Sequence, residues 1–256
     1  MAPGQLDFGT AWRTAPVGVR RSLALAYEAL AAGGLAVGAA LTDAAGAVMC
    51  EGRNEAYGEG PGTGPLRGTP LAHAEMNALG AARTGWDLGA AVLWSTQHPC
   101  GMCAAAAEFT GVGAVRYLAP DPWALAVGAQ AGTGGMVRTV RTGGTGGTSG
   151  VNASGGAGAS GASGASGASG AEPVGEAVWL LAANAMFLRS VALAARGPGE
   201  PDILTRHRAV EPETAALYDR VAPGRPTDRS VEEWLDGIWP GLRAGAEARD
   251  RRLARP

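Results

Sequence analysis

The chain has 256 residues, a formal charge of −2 and a pI near 6.0. That length suits one substantial domain with an appendage, and the balance supplies no global field that would draw it to nucleic acid. All 21 basic residues are arginine, and three cysteines are too few for a disulfide framework, which points to a reducing, cytoplasmic setting. Met1 to Arg13 shows no secretory signal, and the longest apolar run, Ala177 to Leu188, is too short for a membrane span.

Taken in order, residues 1–16 read as a loose N-terminal arm. From Val17 to Ala32, Leu23, Ala26, Tyr27 and Leu30 recur at helical spacing until Gly33-Gly34 stops the helix. Leu35 to Leu41 and Ala47 to Arg53 read as a β-hairpin around a turn at Asp43–Gly46, with Asn54 at its end. A Gly/Pro loop, Gly58 to Pro70, leads to a helix that carries His73 and runs to about Arg83. Ala91 to Ser95 is a third strand, Cys100 opens the next helix, and Ala114 to Leu118 is a fourth strand. Strand–helix–strand alternation with short links implies parallel pairing. A helix over Trp123–Ala131 and a fifth strand over Met136–Arg141 complete a domain at 17–142.

Residues 143–172 form a Gly/Ala/Ser-rich linker with four consecutive Gly-Ala-Ser repeats from Gly158, a composition expected to behave as flexible coil. Residues 173–256 read as a helical extension. Trp179, Ala183, Phe187 and Val191 are spaced four apart, Glu211 to Val221 is a short helix, and Ser230 with Glu233 forms a capping box before Trp234, Ile238 and Leu242. The apolar stripe on residues 177–191 requires cover, either from the preceding domain or from a second copy. Arg243, Arg249, Arg251, Arg252 and Arg255 are interleaved with Glu247 and Asp250, the pattern of a solvated helix face.

The chemistry concentrates in Leu71-Ala72-His73-Ala74-Glu75-Met76-Asn77 and His98-Pro99-Cys100-Gly101-Met102-Cys103. One imidazole and two thiols make the three protein ligands of a catalytic zinc, which keeps a fourth position for water. Cys100 and Cys103 are three apart and share one face of a helix, and Pro99 suits that helix's start. The partial positive charge of a helix N-terminus favours the thiolates that zinc needs. At the first turn of their own helix, His73 and Glu75 both reach an ion beyond its end. Glu75 is then the spare carboxylate that moves protons, and H-x-E…P-C-x-x-C is the pattern of zinc deaminases. The competing structural reading adds Cys50 as a fourth ligand and makes a closed Cys3His site with no catalytic role.

Residues from about Val19 to Leu125 resemble the cytidine deaminase-like superfamily, in particular the branch with tRNA adenosine, guanine and cytosine deaminases. The stretches that carry the resemblance are Ala36-Val37-Gly38-Ala39, Gly52-Arg53-Asn54, His73-Ala74-Glu75-Met76-Asn77-Ala78-Leu79 and Pro99-Cys100-Gly101-Met102-Cys103. It implies a three-layer α/β/α sandwich with a central mixed five-stranded sheet, here followed by the C-terminal helices, and a homo-oligomer. It further implies one zinc per chain on His73, Cys100 and Cys103, Glu75 as catalytic acid–base, and Asn54 and the Ala74 backbone at the substrate. Trp94, Phe109 and Trp123 are candidates for the aromatic that members bring onto the base. One departure concerns specificity. The tRNA adenosine and guanine branch typically has Glu where this chain has His98, which makes His98 a candidate for shaping the substrate pocket. The function that follows is hydrolytic deamination of a small purine or pyrimidine base, nucleoside or similar heterocycle. A base in RNA and a non-catalytic zinc-stabilised module are the alternatives; no membrane partner is expected.

Overall fold

Short, largely apolar runs build a mixed five-stranded sheet in the computed structural model, which describes residues 6–57, 66–120, 170–195, 199–221, 226 and 228–255. The strands are β1 (Gly38–Thr42), β2 (Val48–Arg53), β3 (Val92–Gln97), β4 (Ala114–Ala119) and β5 (Glu172–Pro173), in the order β2-β1-β3-β4-β5. β1 is antiparallel to β2 and β3, while β3, β4 and β5 run parallel. The hairpin expected around Asp43 is present. Asp43 Oδ1 accepts the N–H groups of Ala45 and Ala47, and Gly46 sits at φ 84°, a conformation other residues adopt only with strain.

The helices are α1 (Phe8–Thr14), α2 (Val17–Ala31), α3 (Ala74–Gly80), α4 (Gly101–Phe109), α5 (Ala177–Ala194), α6 (Asp202–Val210), α7 (Pro212–Arg220) and α8 (Val231–Leu253). α2 and α5 pack together over one side of the sheet, and α3 covers β2 and β1 from the other. Two glycines set how tightly these layers close. A Cβ on Gly38 would strike the α2 backbone at Ser22, and one on Gly52 would lie 2.5 Å from the Ala74 carbonyl of α3. The crossover β2–α3–β3 joins strands of the same direction with β1 between them, and β3–α4–β4 joins parallel neighbours. The mixed five-stranded sheet with helices on both sides agrees with the three-layer expectation.

Several details differ from the sequence reading. Residues 8–14 are not a loose arm but helix α1, capped by the Asp7 side chain on Thr10 N. Phe8 and Trp12 are buried in an aromatic cluster with Trp179 and Trp239, at centroid separations of 5.5–6.0 Å. The seven-residue segment is too short to show a periodicity, and burial of its rings is what holds it helical. β5 is Glu172–Pro173, a strand the sequence reading did not expect, and it falls at the end of the stretch read as linker. The proposed helix Trp123–Ala131, the strand at 136–141 and linker residues 143–169 lie outside the described residues. α3 ends at Gly80 rather than Arg83, and α6 went unread because its apolar positions are few.

The C-terminal helices are not an appendage. α5 is buried on every side from Val178 to Ser190, which explains why its sequence is apolar all round. It is long and apolar enough by composition to cross a membrane, yet 72% of it is buried inside the protein, and Asn184 and Arg189 lie within it. The helix crosses the ends of the strands. Leu180 lines a cavity with Leu118 of β4, Asn184 bonds Gln97 at the last residue of β3, and Ser190 accepts the Ala36 N–H just before β1. α7 and α8 then pack on α5. The Ser230–Glu233 capping box forms as expected, with Ser230 N donating to Glu233 Oε2 at 2.7 Å. Among the C-terminal arginines, Arg251 is exposed and pairs with Glu247 as the solvated-face reading expects, whereas Arg249 is largely buried and pairs with Glu211, the N-cap of α7, and Arg252 pairs with Glu213.

Candidate metal centre

The two chemical stretches meet where two helices begin. His73 is the N-cap of α3 and Cys100 the N-cap of α4, and neither side chain caps its own helix. Both are free to turn outward to one point, and Cys103, in the first turn of α4, joins them from the same face. His73 Nδ1 lies 3.5 Å from Cys100 Sγ and 3.6 Å from Cys103 Sγ, and the two sulfurs are 3.5 Å apart. These three form one group whose ligand atoms all lie within 4.8 Å of one another.

That triangle fits zinc. Bond lengths of about 2.3 Å to sulfur and about 2.1 Å to nitrogen at tetrahedral angles give edges of about 3.8 Å between sulfurs and about 3.6 Å between sulfur and nitrogen. Two soft thiolates and an imidazole also suit zinc better than a hard, oxygen-seeking cation. Before a metal displaces the protons, the three side chains hydrogen-bond to one another. A hydrogen bond from Cys103, then one from His73, holds the Cys100 thiol at about 3. The same sharing with Cys100, then burial, pushes Cys103 up, and the bond to Cys100 raises His73. Metal binding at such a site releases protons.

Cys50 does not close the site. Among the described residues it is absent from the convergent group, its thiol donates to the Ala78 carbonyl at 3.1 Å, and burial raises its pKa to about 11. The residue on which the competing closed-site reading depended is instead a strand residue tied to α3. The closed Cys3His reading is therefore corrected.

Glu75 is the second residue of α3 and is 3% exposed, and burial raises its pKa above the usual carboxylate value. Its Oε1 accepts the Ser95 hydroxyl at 2.8 Å, while Oε2 faces Cys103 Sγ at 3.5 Å. Ala74 is the first residue of α3 and fully buried, at a position whose N–H has no intrahelical partner. Asn54 follows β2, is 6% exposed, and its Oδ1 accepts Ala56 N–H at 3.1 Å, closing a local turn. His98 donates its backbone N–H to Ala119 and sets its ring edge-on to Tyr117 at 4.7 Å. Of the aromatic candidates, Trp94 turns away, donating Nε1–H to Thr42 at 3.0 Å beneath α2. Phe109 projects from the far end of α4 at 92% exposure, and Trp123 lies outside the described residues.

Sequence reasoning missed Ser95. Its signal was the run Ser95-Thr96-Gln97, three polar residues ending a strand that otherwise reads as core; all three are buried. Buried polar groups in such a place need partners, and each has one: Glu75, Gly38 and Asn184.

Residues 17–119 match the family described as the cytidine and deoxycytidylate deaminase zinc-binding region. Similar solved structures include a tRNA:A34 deaminase, 28% identical, at TM-score 0.33, with 41% of this chain and 72% of that one covered. A guanine deaminase from Bacillus subtilis is 29% identical at TM-score 0.32, with 40% and 62% covered. A bifunctional diaminohydroxyphosphoribosylaminopyrimidine deaminase and reductase from Thermotoga maritima is 28% identical at TM-score 0.33, with 42% and 30% covered. The chain thus spans under two thirds of the length of the latter two. No curated protein matches the chain. The three zinc-ligand candidates His73, Cys100 and Cys103 all lie within residues 17–119, the stretch that is similar to this zinc-binding region.

Proposed function

We propose that this protein is a zinc-dependent hydrolytic deaminase of a free nucleobase, nucleoside or similar small amino-heterocycle. The observation that carries the reading is a buried carboxylate, Glu75, set beside three convergent zinc ligands without belonging to them. A structural zinc site has no use for such a group, whereas hydrolysis requires a proton carrier at that place.

When bound, the zinc lowers the pKa of a water from about 16 to about 7 and so supplies hydroxide at neutral pH. Glu75 accepts the proton that this water loses and delivers it to the ring nitrogen next to the amine-bearing carbon. The oxygen bonds to that carbon, Glu75 takes the remaining proton from that oxygen and passes it to the amine, and the C–N bond breaks to leave the keto product and ammonia. Asn54 and the Ala74 N–H stand at the ends of β2 and α3 nearest these groups, and in this reading they orient the heterocycle. His98, whose ring stands edge-on to Tyr117 at 4.7 Å, is in this reading a residue that shapes specificity.

A small substrate is favoured over RNA because the net charge is −2 and several arginines are engaged by carboxylates. Arg21 pairs with Glu51, Arg208 with Glu200 and Asp219, and Arg249 and Arg252 with Glu211 and Glu213. With that net charge there is no overall excess of positive charge to attract phosphates. The test is ammonia release by the zinc-loaded protein over a panel of purine and pyrimidine bases, nucleosides, nucleotides and one tRNA. Turnover of a small compound is expected, with Glu75→Gln lowering kcat by about 10²–10⁴-fold at unchanged zinc content. Ammonia from the tRNA alone, or from nothing, overturns the reading.

A further inference from the structure

We propose that Ser95 is a positioning residue for the Glu75 carboxylate; the proposal rests on Glu75 being the proton carrier. A glutamate at the second position of a helix has three freely rotating bonds, and proton transfer requires one carboxylate oxygen at one place. Ser95 fixes the other oxygen. Its hydroxyl donates to Oε1 at 2.8 Å, and Oε2 is left facing the metal-ligand cluster at Cys103. The bond therefore decides which oxygen works.

Ser95 is itself held. Its Oγ accepts the Gln97 backbone N–H at 3.3 Å, so the hydroxyl proton is steered to the carboxylate rather than along the strand. Gln97 Nε2 in turn donates to Asn184 Oδ1 at 3.3 Å, which ties the end of β3 to α5, a helix beyond the family-matching residues. Gln97 is 5% and Asn184 0% exposed, and the remaining atoms of the two amides, Gln97 Oε1 and Asn184 Nδ2, are buried without a protein partner. A buried amide atom without a protein partner is unfavourable, and an apolar pair at these positions would avoid it. The costly polar chain from α5 through β3 ends on the one carboxylate beside the ligand cluster, which is where a requirement for orientation exists.

The experiment compares zinc-loaded full-length wild type with Ser95→Ala, and with Ser95→Thr and Ser95→Val, two variants of equal shape that differ in the hydroxyl. Zinc content, melting temperature, the crystallographic position of the Glu75 carboxylate, and kcat and KM are measured on each. The expected result for Ser95→Ala and Ser95→Val is one zinc per chain, a carboxylate displaced or split between rotamers, kcat lower by about 10- to 100-fold and KM within about twofold. Ser95→Thr restores the carboxylate and kcat. Should Ser95→Ala fail to fold, the Thr/Val pair carries the comparison. A carboxylate that stays in place without the hydroxyl, or a loss that tracks zinc content and melting temperature alone, overturns the proposal. If wild type deaminates nothing, the deaminase reading has failed, and the carboxylate position in the zinc-loaded variants still decides the role of Ser95.

Discussion

The metal-bearing half of the molecule and its C-terminal helices reach order by opposite routes. Around His73, Cys100 and Cys103 a few polar side chains converge because two helices start at one point, and the pattern is short-range in sequence. The C-terminal helices instead depend on bulk. Trp179 and Trp239 bury against Phe8 and Trp12 across the length of the chain, and Trp239 Nε1 donates to the Leu6 carbonyl at 3.1 Å. Chemistry in this protein is thus local and legible, while the frame that holds it is non-local and written in aromatic volume.

The difference is sharpened by variants that break one half and spare the other. Cys103→Ala should remove activity altogether and reduce zinc binding below one per chain, because two remaining donors do not hold the ion; metal analysis and ammonia release check both. Its folding should survive, since the sheet and α5 do not pass through the sulfur. Trp239→Ala should do the reverse. Loss of a buried ring contacting Phe8 and Trp179 is expected to cost about 3–5 kcal/mol of stability in denaturant unfolding, with zinc content of the folded fraction unchanged.

A smaller effect belongs to His207 of α6. The ring is 1% exposed, Nδ1 bonds the Ile203 carbonyl at 2.9 Å, and burial holds its pKa below the ordinary 6.5. The unfolded chain therefore binds the proton more readily than the folded one, and stability falls as pH drops below about 6.5. Melting temperature measured from pH 7 to pH 5 should decline less steeply in His207→Gln than in wild type. Equal slopes would assign the acid sensitivity elsewhere.

Much of the metal site and the sheet could be read from residues alone, for physical reasons. His73, Glu75, Cys100 and Cys103 sit within short motifs, and the hairpin at Asp43–Gly46 carries its own turn chemistry. β5, by contrast, is two residues long and is defined only by its pairing to β4, so no local pattern marks it. α1 is helical because Phe8 and Trp12 find Trp239 and Trp179, partners that lie far along the chain. Ser95 was hidden for the same reason: its partner Glu75 is 20 residues away on another element. Asn54 shows the limit from the other side, since a turn-closing side chain and a substrate contact have the same sequence signature.

The account rests on a three-ligand zinc site with one position open. X-ray absorption at the zinc edge of the purified protein tests this directly. It predicts two sulfurs at about 2.3 Å and two nitrogen or oxygen neighbours at about 2.0–2.1 Å, one from His73 and one from water. Three or more sulfurs, which would require Cys50 to leave the Ala78 carbonyl and join the ion, would contradict it.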